Sequence, residues 1–108
     1  MTRIKICGLT NLEDARWAWR CGADMLGFIF VPGTPRYVAP QEAARITSAL
    51  LAEGCPCRLI GVFAGAPLED VRRTVERCSL HLAQLHGDEP PEFAGRLGVP
   101  TIIARRIR

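Results

Sequence analysis

Several things are missing from this chain of 108 residues, and each absence removes a class of function. No apolar run approaches the roughly 18–20 residues that a membrane-spanning helix needs. The opening stretch "MTRIKIC" enters a strand pattern without the apolar h-region of a signal peptide, so the expected compartment is the cytoplasm. Neither a GxGxxG nor a Walker pattern is present, which counts against a dinucleotide or P-loop site. Lysine is nearly absent, since thirteen of the fourteen basic residues are Arg. They are scattered, apart from "ARRIR" at 104–108, and do not form the basic stripe that nucleic-acid binding calls for. The five cysteines are Cys7, Cys21, Cys55, Cys57 and Cys78, an odd number that argues against a disulfide framework. "CPC" at 55–57 lacks the second ligand pair of a zinc site and is read as unpaired surface thiols in a helix-to-strand loop. The expectation is no metal, no nucleic acid and no membrane partner.

What remains is an alternation of two periods. Apolar, β-rich runs occur at 3–7, 25–30, 58–63, 80–86 and 100–104, and helical patterns lie between them. Asn11 and Asp14 have the spacing of a helix N-cap and its N3 partner, and Gly22 that of a helix stop. Leu12, Ala15 and Trp19 share one helical face. Ala43, Ile46 and Leu50 repeat it in a second helix ending near Gly54. Leu68, Val71, Val75 and Cys78 make a third stripe, with Pro67 in the first turn. Phe93 and Leu97 mark a short fourth helix before Gly98. Trp17 and Trp19 are read as packing residues. The order β-α-β-α-β-α-β-α-β predicts an α/β fold with a parallel sheet and right-handed crossovers. The repeat length suits either a doubly wound sheet or a (β/α)8 barrel.

Polar residues fall where such a sheet would use them. In the first strand Lys5 and Cys7 point opposite to Ile4 and Ile6. In the fourth, Gln84 and His86 alternate with Ala83 and Leu85. Apolar interiors rarely accept Lys, Gln and His without a partner or a purpose. Cys7 and His86 end their strands, and "PGTPRYV" after the second strand carries Arg36. All would gather at the C-terminal edge of one parallel sheet, where α/β folds place ligands.

Here the sequence resembles a family. "KICGLT", "GADMLGFIF", "TPRYV", "LIGVFAG" and "LAQLHGDE" are similar, in order and spacing from Arg3 to about Gly87, to successive motifs of the phosphoribosylanthranilate isomerases. These are (β/α)8 barrels of tryptophan biosynthesis. The resemblance implies an Amadori rearrangement of N-(5-phosphoribosyl)anthranilate to 1-(2-carboxyphenylamino)-1-deoxyribulose 5-phosphate, with no cofactor. A general acid opens the furanose ring, and a general base takes the proton from the sugar's C2.

By the same resemblance Cys7 is the general base, Arg36 holds the anthranilate carboxylate, and Gln84 and His86 line the substrate pocket. A free thiol, with a pKa of about 8.5, is only a few per cent ionised at neutral pH. It therefore needs tuning, for which nearby Lys5 or an electropositive loop is available. A guanidinium fork suits a carboxylate because it can bind both oxygens. The competing readings are a structural thiol for Cys7, a solvated loop arginine for Arg36 and hydrogen-bonded interior groups for Gln84 and His86. Two departures stand out: Thr34-Pro35-Arg36 replaces the usual Ser-Pro-Arg but keeps the hydroxyl, and Gly65 stands where Asn is frequent.

A (β/α)8 barrel takes about 200 residues or more. Residues 1–108 are therefore expected to be the N-terminal portion of a single barrel domain, with five of its eight strands and four of its helices. The general acid that the resemblance implies, an aspartate on the sixth strand, and the phosphate loops would lie beyond Arg108. Asp88, in the fourth βα loop, is not assigned to the acid role. Open edges at the first and fifth strands would invite self-association or pairing with a C-terminal half. The alternatives weighed are a catalytically incomplete half-barrel, acting as an assembly module or inert fragment, and a thiol-based redox or metal protein.

Overall fold

The computed structural model describes residues 3–86 and 95–104. Its order is β1 (Lys5–Ile6), α1 (Leu12–Arg20), β2 (Met25–Ile29), α2 (Pro40–Ala52), β3 (Arg58–Ala64), α3 (Leu68–Arg77), β4 (Leu82–His86) and β5 (Thr101–Ala104). The fourth helix expected around Phe93, the loop with Asp88 and the basic cluster at 105–108 lie outside the described residues.

Local chemistry explains where the helices begin and end. The Asn11 side-chain oxygen accepts from the Asp14 backbone N–H at 2.8 Å, and the Asn11 amide donates to the Asp14 carboxylate at 2.9 Å. The spacing predicts a reciprocal pair, and the return bond to Asp14 comes from the Asn11 side chain rather than its backbone N–H. The three helices share one ending, in which two N–H groups fold back onto the last free carbonyls. Gly22 and Ala23 donate to Trp19 and Ala18, Gly54 and Cys55 to Leu51 and Leu50, and Ser79 and Leu80 to Glu76 and Val75. This motif needs a left-handed residue. Gly22 (φ 97°) and Gly54 (φ 80°) supply it freely, whereas Ser79 (φ 52°) does so with a side chain. Pro67 precedes α3 as its cap residue instead of sitting inside its first turn.

All strands are parallel, in the spatial order β1-β2-β3-β4-β5. Each crossover moves one place in the same direction. The sheet thus lacks the reversal of strand order that defines a doubly wound fold and follows the order of a (β/α)8 barrel. Right-handed crossovers then put every helix on one face, and α1 lies beside α2 and α2 beside α3.

Alternation divides the strands between two environments. Leu26, Phe28, Leu59, Phe63, Ala83 and Leu85 join Ala15, Ala18, Ala43, Ile46, Leu50, Val71 and Val75 in the core beneath the helices. Phe30 and Phe63 stack there, with ring centroids 5.2 Å apart. The opposite face carries Lys5, Met25, Gly27, Ile29, Ile60, Val62, Leu82, Gln84 and His86, aligned by the register.

Two sequence expectations need correction. Cys55 and Cys57 are buried, not surface thiols. Cys55 follows the left-handed Gly54, so the helix ending turns it inward against the apolar layer. Cys57 donates its thiol to the Ala23 carbonyl at 3.1 Å. Trp17 is 69% exposed and does not pack in the core, although Trp19 does pack against it. Trp17 lies off the stripe of Leu12, Ala15 and Trp19, over a groove shared with Ile4, Ile6 and Leu9 beside the unpaired edge of β1.

Candidate functional site

The site occupies the end of the sheet where the strands finish. There β1 is brief and leads into Cys7, whose successors follow a turn. Gly8 and Leu9 both donate their backbone N–H to the Gly27 carbonyl at 3.1 Å. This fork ties the residues after β1 to the middle of β2 and seats Cys7 directly over Gly27. A β-carbon on Gly27 would stand 2.7 Å from the Cys7 sulfur and 3.2 Å from its Cα. Only a residue without a side chain admits the thiol there. Cys7 is half-buried and unpaired.

Arg36 reaches the same place from the β2–α2 loop. Thr34 donates its hydroxyl to the Val31 carbonyl at 2.7 Å. Tyr37 donates to Thr34 O, and Val38 returns to the Ile29 carbonyl at 3.0 Å. These bonds fold the loop back along β2. The aliphatic part of Arg36 then lies on Gly8, whose φ is 84°. A β-carbon on Gly8 would collide with Cδ of Arg36 and come within 3.2 Å of Nη1. Gly8 therefore does two jobs: it makes the turn and clears a bed for the arginine. The result places a thiol and a guanidinium on adjacent residues of one turn, although 29 positions separate Cys7 from Arg36 in sequence.

The third component lies on β4. Gln84 and His86 share the face of Lys5, and the three are joined. Lys5 Nζ donates to Gln84 Oε1 at 2.8 Å, and Gln84 Nε2 lies 2.8 Å from His86 Nε2. The Lys5 ammonium is engaged with Gln84, and no hydrogen bond links it to Cys7 among the described residues. Hydrogen bonding thus binds the two strands' polar residues across the apolar ones between them.

The profile of the N-(5'-phosphoribosyl)anthranilate (PRA) isomerases matches residues 4–107. The chain belongs to this family. An N-(5'-phosphoribosyl)anthranilate isomerase of Citrifermentans bemidjiense is 44% identical over all 108 residues, which cover 51% of that protein. The chain thus spans about half the length of the curated relatives it matches. The phosphoribosyl anthranilate isomerase structure from Thermus thermophilus is 46% identical, with a TM-score of 0.85 over 94% of this chain and 50% of its own. A second structure, solved in complex with reduced 1-(o-carboxyphenylamino)-1-deoxyribulose 5-phosphate, is 37% identical. Its TM-score is 0.88 over 95% of this chain and 53% of its own.

Family membership accounts for the five motifs in register, and the four sequence-selected residues lie on one face or its adjoining turn at the sheet's C-terminal edge. Cys7 sits over β2, while Gln84 bonds His86 directly and Lys5 from its other side; Arg36 arrives by its loop. Sequence reasoning missed the parts played by Gly8 and Gly27; of the two tuning groups it offered for the thiol, Lys5 or an electropositive loop, Lys5 bonds Gln84 instead. The signal for the glycines was available only as a pairing in space, since neither spacing nor periodicity links Gly27 to Cys7.

The other thiols stand apart from this edge. Burial pushes the Cys57 thiol up to about 12, helped by its hydrogen bond with Cys55 and by the Asp24 carboxylate. Burial also lifts Cys78 to about 11, against a small pull from Arg77. Thiols so held are poor nucleophiles and poor metal ligands. No group of three or more metal-ligating side chains assembles among the described residues.

Proposed function

We propose that residues 1–108 form the N-terminal portion of a single (β/α)8 barrel domain that isomerises N-(5-phosphoribosyl)anthranilate in tryptophan biosynthesis. Cys7 is the general base that removes the C2 proton. Arg36 binds the anthranilate carboxylate, and Gln84 and His86 line the pocket. The substrate is a small molecule carrying an aromatic carboxylate and a sugar phosphate. The proposed compartment is the cytoplasm, in keeping with five unpaired thiols.

One observation carries this reading: the Cys7 thiol is seated over Gly27 while Arg36 lies on the adjacent Gly8. A base and a carboxylate clamp on neighbouring residues suit a substrate whose carboxylated ring adjoins the reacting carbon. The ligand bound to the 37% identical structure has such a ring and a deoxyribulose phosphate. The barrel assignment draws on the strand order and on the exposed Ile4, Ile6 and Trp17 beside β1. An apolar face of this kind suits a further strand and helix closing against it.

The deciding experiment is Cys7→Ala in the complete enzyme. Loss of a general base is expected to lower kcat by about 10²–10⁴-fold, with substrate still bound at near-normal affinity by calorimetry. Turnover that survives the substitution would remove Cys7 from the mechanism.

A further inference from the structure

We infer that Lys5 is a positioning residue which, through Gln84, holds His86 as the neutral imidazole with its proton on Nδ1. Donor and acceptor supply decides the polarity of this hydrogen-bond chain. A lysine ammonium has three donors and no acceptor, so the Gln84 group 2.8 Å from Lys5 Nζ must be the amide oxygen. The planar amide then turns its NH₂ toward His86. With Gln84 Nε2 donating across 2.8 Å, His86 Nε2 has to accept. An imidazole nitrogen that accepts carries no proton, and the ring's one proton sits on Nδ1.

The opposite arrangement is expensive in this setting. Flipping the amide would point its NH₂ at the ammonium, and an imidazolium would place two donors face to face. Among the described residues, no further hydrogen-bonding partner relieves either conflict. The register partners of Gln84 are Val62 on β3 and Ile102 on β5, and that of His86 on β3 is Ala64. None of these side chains donates or accepts. The orientation of the amide is therefore decided by Lys5 alone among the described residues.

On the function proposed above, on which this consequence rests, His86 offers the pocket an Nδ1–H donor and takes no proton through Nε2. That leaves proton abstraction to Cys7. Lys5 acts at one remove, setting the polarity of a hydrogen-bond chain that ends at the ligand.

The test is two-dimensional ¹H–¹⁵N correlation of the histidine ring in ¹⁵N-labelled protein, which reports which nitrogen is protonated. The expected result is an Nδ1–H signature for His86 in the unmutated protein. Gln84→Glu is isosteric but can only accept, so it should move the proton to Nε2. Lys5→Met should shift the population toward Nε2–H, and Lys5→Arg should restore Nδ1–H. An Nε2–H ring in the unmutated protein overturns the inference, as does a tautomer indifferent to Gln84→Glu. A tautomer unmoved by Lys5→Met overturns the part given to Lys5. With substrate, Lys5→Met should raise KM about tenfold, the size of one charge-assisted hydrogen bond, and leave kcat within about twofold. The spectrum needs no turnover. An Nδ1–H ring in an enzyme that does not isomerise this substrate would refute the proposed function and uphold the tautomer, whereas an Nε2–H ring in an active isomerase would do the reverse.

Discussion

The two ends of the sheet carry the same functional group in opposite settings. Where the strands finish, Cys7 rests over a glycine, half-buried, with a guanidinium on the next residue of its turn. Where β3 begins, Cys57 is enclosed, bonded to Ala23 O and pushed up to about 12 by its burial. Backbone architecture makes the difference. Glycines at 8 and 27 withhold side chains and so admit other groups, while the ending of α2 at Gly54 turns Cys55 and Cys57 into the apolar layer. The lesson is that a thiol's chemistry follows from what its neighbours leave out as much as from what they supply.

Thiol reactivity gives this contrast its widest range. With a disulfide reagent at mildly alkaline pH, exposed Cys21 should be modified first and Cys7 next. Cys57, at about 12, should lag an ordinary exposed thiol by about 10³-fold, because its thiolate fraction is lower by that factor. Labelling kinetics followed by peptide mass mapping would show it. Equal rates at Cys57 and Cys21 would mean that the N-terminal end of the sheet is open.

Gly27→Ala breaks the contrast from the other side. Its new methyl would meet the Cys7 sulfur and backbone, and the thiol must move. On the proposed mechanism a displacement of this kind costs about 10²-fold in kcat. Gly22→Ala, at a left-handed glycine (φ 97°) with nothing within 4 Å of the added carbon, should spare kcat and lower only the melting temperature. If both variants lose activity alike, the clearance over Gly27 has no special part.

Stability offers finer tests. Ser79 ends α3 in the conformation that Gly22 and Gly54 supply for α1 and α2. Ser79→Gly should stabilise the fold by about 0.5–1 kcal/mol in a denaturant titration, as the left-handed strain is relieved in exchange for chain entropy. The smallest effect is expected at Glu53, which receives Arg16 Nε at 3.0 Å and ties α1 to the end of α2. That hydrogen bond holds the Glu53 carboxyl below its ordinary 4.5. Its contribution is present above that value and fades as pH falls through the lowered one. The melting-temperature gap between the unmutated chain and Glu53→Gln should therefore close in acid.

Much of the fold is legible in the residues. The Asn11–Asp14 cap, the stop at Gly22 and the apolar stripes of Ala43, Ile46 and Leu50 or Val71 and Val75 are local patterns with local causes. The shared face of Lys5, Gln84 and His86 follows from the two-residue period of strands. Trp17 and the buried Cys55 and Cys57 were not legible, because exposure depends on what stands opposite. Trp17 borders an open groove with Ile4, Ile6 and Leu9 and stays exposed, while the cysteines have the whole layer beneath α2.

The amino-acid sequence by itself determined the alternation of strands and helices among the described elements, the ends of α1 and α2 at Gly22 and Gly54, and which side chains share a face, since these depend on contacts a few residues apart. Only the tertiary structure decided that β1 and β2 bring Cys7 onto Gly27, that a returning loop lays Arg36 on Gly8, and that Lys5 finds Gln84 on a strand 79 positions away. Those arrangements depend on excluded volume and on donors meeting acceptors across strands, quantities that exist only once the chain has closed on itself.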